Sequence, residues 1–404
     1  MILTANRRMT FSASRRLARD GWGAAENQRV YGAGGERAWG SGENYDAHFV
    51  FAGETDAASG MLVNLSAVKQ ALAAVVDERY DHTFVNLDTP PFDSVPPTPE
   101  NLAAQLLAEG RAACAGLRVP LVACHLAESE RTAATAWADG TVEREFTLTF
   151  SAARRTCSPH LSDEENTAFF GRAASPAGHG HGYRLRVVLR APRDRHGLVA
   201  LHADTEAALA ALHETLDHRN LNLEVPALAG VPMTTECLAR FVFTTLAASL
   251  PLARVRLHEM PHFFAEYDGE RAALGLADTF SAAHCLRQEA LSEAENRALY
   301  GKCSNPNGHG HRYTVQATVA GAIDERTGTV LNLGEFAAAL AGAVAPWDRR
   351  HLDLETEDFR LSPSTGENIV QALWPRLQPG LGGRLVRLRL FETRNNRFAL
   401  RSEG

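Results

Sequence analysis

Lysine is almost missing from this chain of 404 residues: among 41 basic side chains, only Lys69 and Lys302 are lysines. Arginine supplies the rest, and 48 acidic residues outweigh it to leave a formal charge of -7. Neither a basic stripe nor a basic amphipathic helix is visible, so nucleic acid and anionic membrane are excluded as expected partners. Cysteine is scarce as well. Six cysteines with no CxxC pair make neither a disulfide framework nor a ribbon-type zinc site, and they are read as free thiols, mostly buried. No apolar run reaches the roughly 18 residues of a membrane span, and the opening MILTANRRMTFSASRRLARDGW lacks the apolar core and cleavage site of a secretory signal. A cytoplasmic protein that handles a small molecule is the expectation.

The length exceeds one ordinary hydrophobic core, and internal repetition explains how it is divided. TFSASRR (Thr10–Arg16), TFSAARR (Thr149–Arg155) and TFSAAHC (Thr279–Cys285) open three similar segments. ENQRVYG, ENTAFFG and ENRALYG follow, starting at Glu26, Glu165 and Glu295. Further on come YDHTFVNLD, LDHRNLNLE and WDRRHLDLE, then the helix starts PTPENLA, MTTECLA and STGENIV, and each segment closes on a strand with a glutamate: Glu128, Glu259, Glu392. Chance does not produce five matched stations in order three times. The junctions fall in ADGTVE and DGERAALG, giving repeats over 1–138, 142–268 and 274–404.

Within a repeat, YRLRVVLR and YTVQATVA alternate as half-buried antiparallel strands, while VNLSAVKQALAAVV and LNLGEFAAALAGAV carry helical spacing. Each repeat therefore reads as two strands, two helices, two strands. The class is α+β, with helices on one face of an antiparallel sheet.

The chemistry concentrates in GKCSNPNGHGHRY, residues 301–313. Two histidines at i and i+2 on a strand share a face, so His309 and His311 can reach one ion. His284 ends the preceding strand, which is expected to pair with theirs, and is the natural third ligand. Three imidazoles suit zinc with a fourth position open, the arrangement of a catalytic site. Repeat 2 keeps His179 and His181 but has Arg154 in place of His284; repeat 1 has Arg15, Ser41 and Glu43. One zinc per chain is expected, with the two arginines offering fixed positive charge where the metal is missing. Cys303, whose counterparts are Ala173 and Gly34, lies beside Lys302, an environment expected to lower the thiol pKa and make it a usable base.

FSAAH, YGKCSNPNGHGHRY and LRLFETRNN together resemble the 6-pyruvoyltetrahydropterin synthase family, whose pattern is Cys-x5-His-x-His with an upstream histidine and a late glutamate. The resemblance implies a tunnelling fold (T-fold), with the three tandem ββααββ repeats closing one antiparallel barrel and a homodimer of such pseudo-trimeric chains. It implies a zinc-dependent lyase that converts 7,8-dihydroneopterin triphosphate to 6-pyruvoyltetrahydropterin and triphosphate. The related 6-carboxytetrahydropterin synthase activity and a non-catalytic pterin-binding role are the alternatives. By the same resemblance His284, His309 and His311 hold zinc, Cys303 moves the proton, Glu392 anchors the pterin ring, and Thr365 and Glu367 line the same pocket. The family sets an Asp-His pair against the cysteine, but repeat 3 has Asp348-Arg349 there. The pair is then expected from another repeat: Asp217-His218 by preference, or Asp81-His82. Lys302, Arg312, Arg349 and Arg350 are basic groups placed to attract a triphosphate.

Overall fold

A computed structural model describes residues 1–33 and 35–403; Gly34, the repeat 1 counterpart of Cys303, lies outside the described residues. Repeat 1 runs β1 (Ile2–Arg15), α1 (Ala24–Tyr31), β2 (Ser41–Gly53), α2 (Leu65–Arg79), β3 (Thr83–Phe84), α3 (Val85–Asp88), α4 (Pro99–Ala113), β4 (Leu121–Ala127) and β5 (Thr132–Trp137). Repeat 2 runs β6 (Val142–Arg154), α5 (Asp163–Phe170), β7 (His179–Arg190), α6 (His202–Leu216), β8 (Arg219–Asn220), α7 (Thr235–Ala247), β9 (Leu252–Met260) and β10 (Phe263–Tyr267). Repeat 3 has β11 (Ala272–His284), α8 (Glu293–Tyr300), β12 (His309–Gly321), α9 (Leu333–Val344), β13 (Arg350–His351), α10 (Leu352–Glu355), α11 (Gly366–Leu377), β14 (Leu385–Phe391) and β15 (Asn396–Arg401).

Repeats 1 and 3 add the one-turn helices α3 and α10, and every repeat has one further helix beyond the predicted two, inserted between its first two strands. Its signal is local: Ser162 and Ser292 form reciprocal capping boxes with Glu165 and Glu295 at the starts of α5 and α8.

Twelve strands pair antiparallel in a closed circuit, and β15 returns to β1 through Ile2↔Arg401 and Arg7↔Asn396. The three two-residue strands lie parallel to the ends of β1, β6 and β11. The junctions between repeats are hairpins of this same sheet, closed at Ala136↔Val142 and Tyr267↔Ala272. A barrel without edges leaves no strand open to pair elsewhere. No helix among the described residues is long and apolar enough to cross a membrane.

Side-chain alternation divides the sheet into two faces. On the helix side, Tyr313, Val315, Ala317 and Val319 of β12 are fully buried against the long helices. Beneath each pocket a phenylalanine of the first strand stacks on a tyrosine of the second: Phe11 on Tyr45, Phe150 on Tyr183, Phe280 on Tyr313, at 4.7, 4.9 and 4.9 Å. The other face is polar. There Glu266 takes both Arg256 and Arg387, joining strands of repeats 2 and 3.

The repeats are latched in a ring. Thr98, Thr234 and Thr365 cap α4, α7 and α11, and each hydroxyl also donates to a glycine carbonyl of the next repeat: Gly197 at 2.8 Å, Gly328 at 2.6 Å, Gly60 at 2.7 Å. Two residues beyond each threonine a buried glutamate accepts a backbone N–H from the same loop, Val199 to Glu100, Val330 to Glu236 and Leu62 to Glu367. Repeat 3 therefore meets repeat 1 across the seam that carries Thr365 and Glu367.

Candidate metal centre and pocket

His284 ends β11 and His309 opens β12, and the strand register sets them opposite each other, with His311 opposite Ala282. All three rings extend the helix-side face. Ring centroids lie 4.4 Å (His284–His309), 5.2 Å (His284–His311) and 4.9 Å (His309–His311) apart, and one candidate ligand nitrogen from each falls within 4.8 Å of the others. The turn into β12 needs glycine at 308: its φ is +71°, and a Cβ there would sit 2.8 Å from His351 Nε2.

The ring of His284 is oriented from behind. Its Nδ1 lies 3.2 Å from the Ser364 carbonyl, so Nδ1–H donates there and Nε2 turns its lone pair toward His309 Nε2, 3.1 Å away. Asp353 holds Ser364 in turn, accepting from its N–H at 2.9 Å and its hydroxyl at 2.8 Å, and accepts from Cys285 N–H as well. Burial, with His309 adding to it, pushes the His284 pKa down to about 3; burial lowers those of His309 and His311 too. Three neutral imidazoles at one point, with His309 Nδ1 buried and lacking a hydrogen-bond partner, form a donor set that fits zinc.

Cys303 sits half-buried on the 3-10 turn Gly301–Ser304. Its environment corrects the sequence expectation: the thiol pKa is raised, by burial first and then by Glu392 and Cys285, while Lys302 is exposed to solvent. Glu392 follows β14, is hydrogen-bonded by Asn396 Nδ2 at 3.1 Å, and is electrostatically coupled to both Cys303 and His309. Burial raises its pKa. Glu367, whose carboxyl burial lifts to about 8, is coupled to Glu392. Thr365 and Glu367 thus stand near the pocket, with the threonine hydroxyl and one carboxylate oxygen engaged by the seam.

The Asp-His pairs lie elsewhere. Asp217 accepts from Ser151 N–H of its own first strand and holds His218 Nδ1 at 2.6 Å, and the His218 side chain is 82 % exposed. Asp81 and His82 repeat this arrangement on Ser12, and Asp348 repeats it on Ser281. His82, His218 and Arg349 share a left-handed backbone, φ 59°, 56° and 60°. Each pair is thus tied to the first strand of its own repeat, and its histidine opens to solvent. Arg349, Arg350 and Arg312 line one open groove together with His311, and Lys302 is not part of that lining.

Sequence reasoning missed Asp353 and Ser364. The repeats held the signal for Asp353: Asn86 and Asn222 accept from Arg16 and Arg155 N–H where Asp353 accepts from Cys285, so the carboxylate is special to the histidine site.

A profile of the 6-pyruvoyl tetrahydropterin synthase family matches three times, over residues 4–139, 142–270 and 274–403. The chain belongs to that family. Its members are enzymes. Among curated relatives, the 6-pyruvoyl tetrahydrobiopterin synthases of Homo sapiens and Drosophila melanogaster are each 42% identical, over 127 and 133 residues, covering 31% and 32% of this chain and 88% and 79% of theirs. The solved Caenorhabditis elegans 6-pyruvoyl tetrahydropterin synthase is 32% identical over 33% of this chain and 96% of its own, with a TM-score of 0.32.

Proposed function

We propose that this family member is a zinc-dependent lyase converting 7,8-dihydroneopterin triphosphate to 6-pyruvoyltetrahydropterin and triphosphate, at one site per chain in repeat 3. The observation that carries the reading is the meeting, in one repeat, of three neutral histidines with a carboxylate coupled to His309 and a thiol coupled to that carboxylate. His284, His309 and His311 would hold zinc, which would supply a Lewis acid for the substrate's side-chain hydroxyls and so acidify the adjoining C–H bond. Cys303 Sγ takes that proton as a thiolate, its own proton having first passed to the relay partner named below, and returns it during the internal rearrangement. Glu392 accepts hydrogen bonds from the pterin amino and ring N–H groups, which favour its ionised form against the burial that opposes it. Thr365 and Glu367 border the ring. Arg312, Arg349 and Arg350 receive the triphosphate in the groove that reaches His311.

The relay partner of Cys303 is assigned to a second chain. The exposed pairs Asp217-His218 and Asp81-His82 are free to face another molecule, which makes a homodimer of pseudo-trimeric chains the working assembly. Six free cysteines fit a reducing, cytoplasmic setting.

Mass spectrometry of products after zinc-loaded protein meets dihydroneopterin triphosphate tests the reading, alongside Cys303→Ala. A pyruvoyl product absent from the control is expected. A carboxy product would move the chain to the deazapurine branch, and no turnover with zinc bound would leave a pterin-binding protein.

A further inference from the structure

Repeat 2 keeps more of a metal site than its lost histidine implies. His179 and His181 occupy on β7 the positions of His309 and His311 on β12, and Arg154 pairs with His179 as His284 pairs with His309. His179, His181 and Glu259 place three candidate ligand atoms within 4.8 Å of one another. Into this group comes the Arg154 guanidinium, 2% exposed, ion-paired with Glu259 and donating to Thr235 Oγ1 at 3.0 Å. Glu259 also takes the Thr235 hydroxyl and stands 2.9 Å from His181 Nε2. Repeat 1 forms the same pair without the histidines: Arg15 binds Glu128, which Arg144 reaches at 2.9 Å.

The pocket of repeat 2 is not packed as a core. Arg154 Nε and Nη1, His179 Nδ1 and the Tyr183 hydroxyl are all buried without hydrogen-bond partners. A region shaped for stability alone satisfies such groups, since each costs about 1–3 kcal/mol when left unpaired. Four of them gather around one ion pair at the station where repeat 3 has its three histidines. A divalent ion cannot join it, because a buried guanidinium repels the ion and already holds the one carboxylate that would ligate it.

We infer that Arg154 is a resident cation standing in for the metal of repeat 2, and that its pair with Glu259 closes a dormant site to metal and pterin alike. One substitution reopens it. The inference rests on the reading of repeat 3 only for the reference number of ions per chain.

Metal counting tests it. Protein stripped by chelator is reloaded with zinc, dialysed and analysed for metal per chain, with circular dichroism to establish folding. Wild type is expected to hold one ion and Arg154→His two, the second vanishing when His181→Ala is added. Arg154→Gln, which leaves His179, His181 and Glu259 as ligands, is expected to gain a second ion more weakly and decides the matter if the histidine variant does not fold. Folded Arg154→His and Arg154→Gln proteins that both hold one ion would overturn the inference, as would a wild type holding two of which His181→Ala removes one. A wild type holding none beside an Arg154→His protein holding one would sink the metal reading of repeat 3 and leave this inference standing.

Discussion

In repeat 3 the residue opposite the first histidine of the HGH pair is His284; in repeat 2 it is Arg154. Strand register, the Phe–Tyr stack and the threonine latch are otherwise the same in both. What changes is the state of the closing glutamate. Burial alone would raise the pKa of Glu259, but Arg154 holds it down to about 2, whereas Glu392, with no arginine in that place, is raised. One carboxylate is spent on the fold and the other is left to meet a ligand. At this station one side chain decides whether the closing glutamate is ion-paired, and repeat 2 differs further in Ala173 for Cys303 and Asn222 for Asp353.

The largest expected effect tests that division. His284→Ala should abolish metal binding and lower turnover by ~1,000-fold or more, while Arg154→Gln leaves turnover within about twofold. Equal losses in steady-state assays would contradict the comparison. Next comes stability. Glu259→Gln strands a buried guanidinium, 3% exposed in its side chain, and should cost about 3–5 kcal/mol in denaturant unfolding; Glu392→Gln should cost under ~1 kcal/mol and raise KM instead. Asp353→Asn sharpens the contrast at closer range. Loosening Ser364 behind His284 should weaken zinc about 10–100-fold in chelator competition, with no counterpart for Asn222→Asp in repeat 2.

The smallest effect is one of pH. Glu367, raised by burial to about 8, keeps a proton that the unfolded chain releases above its ordinary value near 4.5. The folded state then binds more protons between those limits, so this group costs stability as pH rises from about 4.5 toward 8. Glu236, raised to about 7 at the seam between repeats 2 and 3, acts in the same direction. Glu367→Gln should therefore flatten the fall in melting temperature between pH 5 and 8.

The barrel was legible because repetition at five stations fixes three equal units, and strand alternation fixes which face each histidine takes. The histidine cluster followed from spacing alone, since i, i+2 on one strand and the end of its partner determine where three rings meet. The thiol did not follow. A neighbouring lysine in sequence says nothing of direction, and Lys302 points to solvent while Glu392, 89 residues on, faces Cys303. The Asp-His pairs were recognised as motifs but not located, because a left-handed residue after a helix turns its side chain outward in a way that letters do not record. The helix between the first two strands was overlooked although in repeats 2 and 3 S-x-x-E spelled out its start.

Anomalous diffraction at the zinc edge, from crystals of the wild-type protein, tests the central claim most directly. One peak per chain, between His284, His309 and His311, is the predicted result. A peak beside His179, His181 and Glu259, or none at His284, would contradict the account.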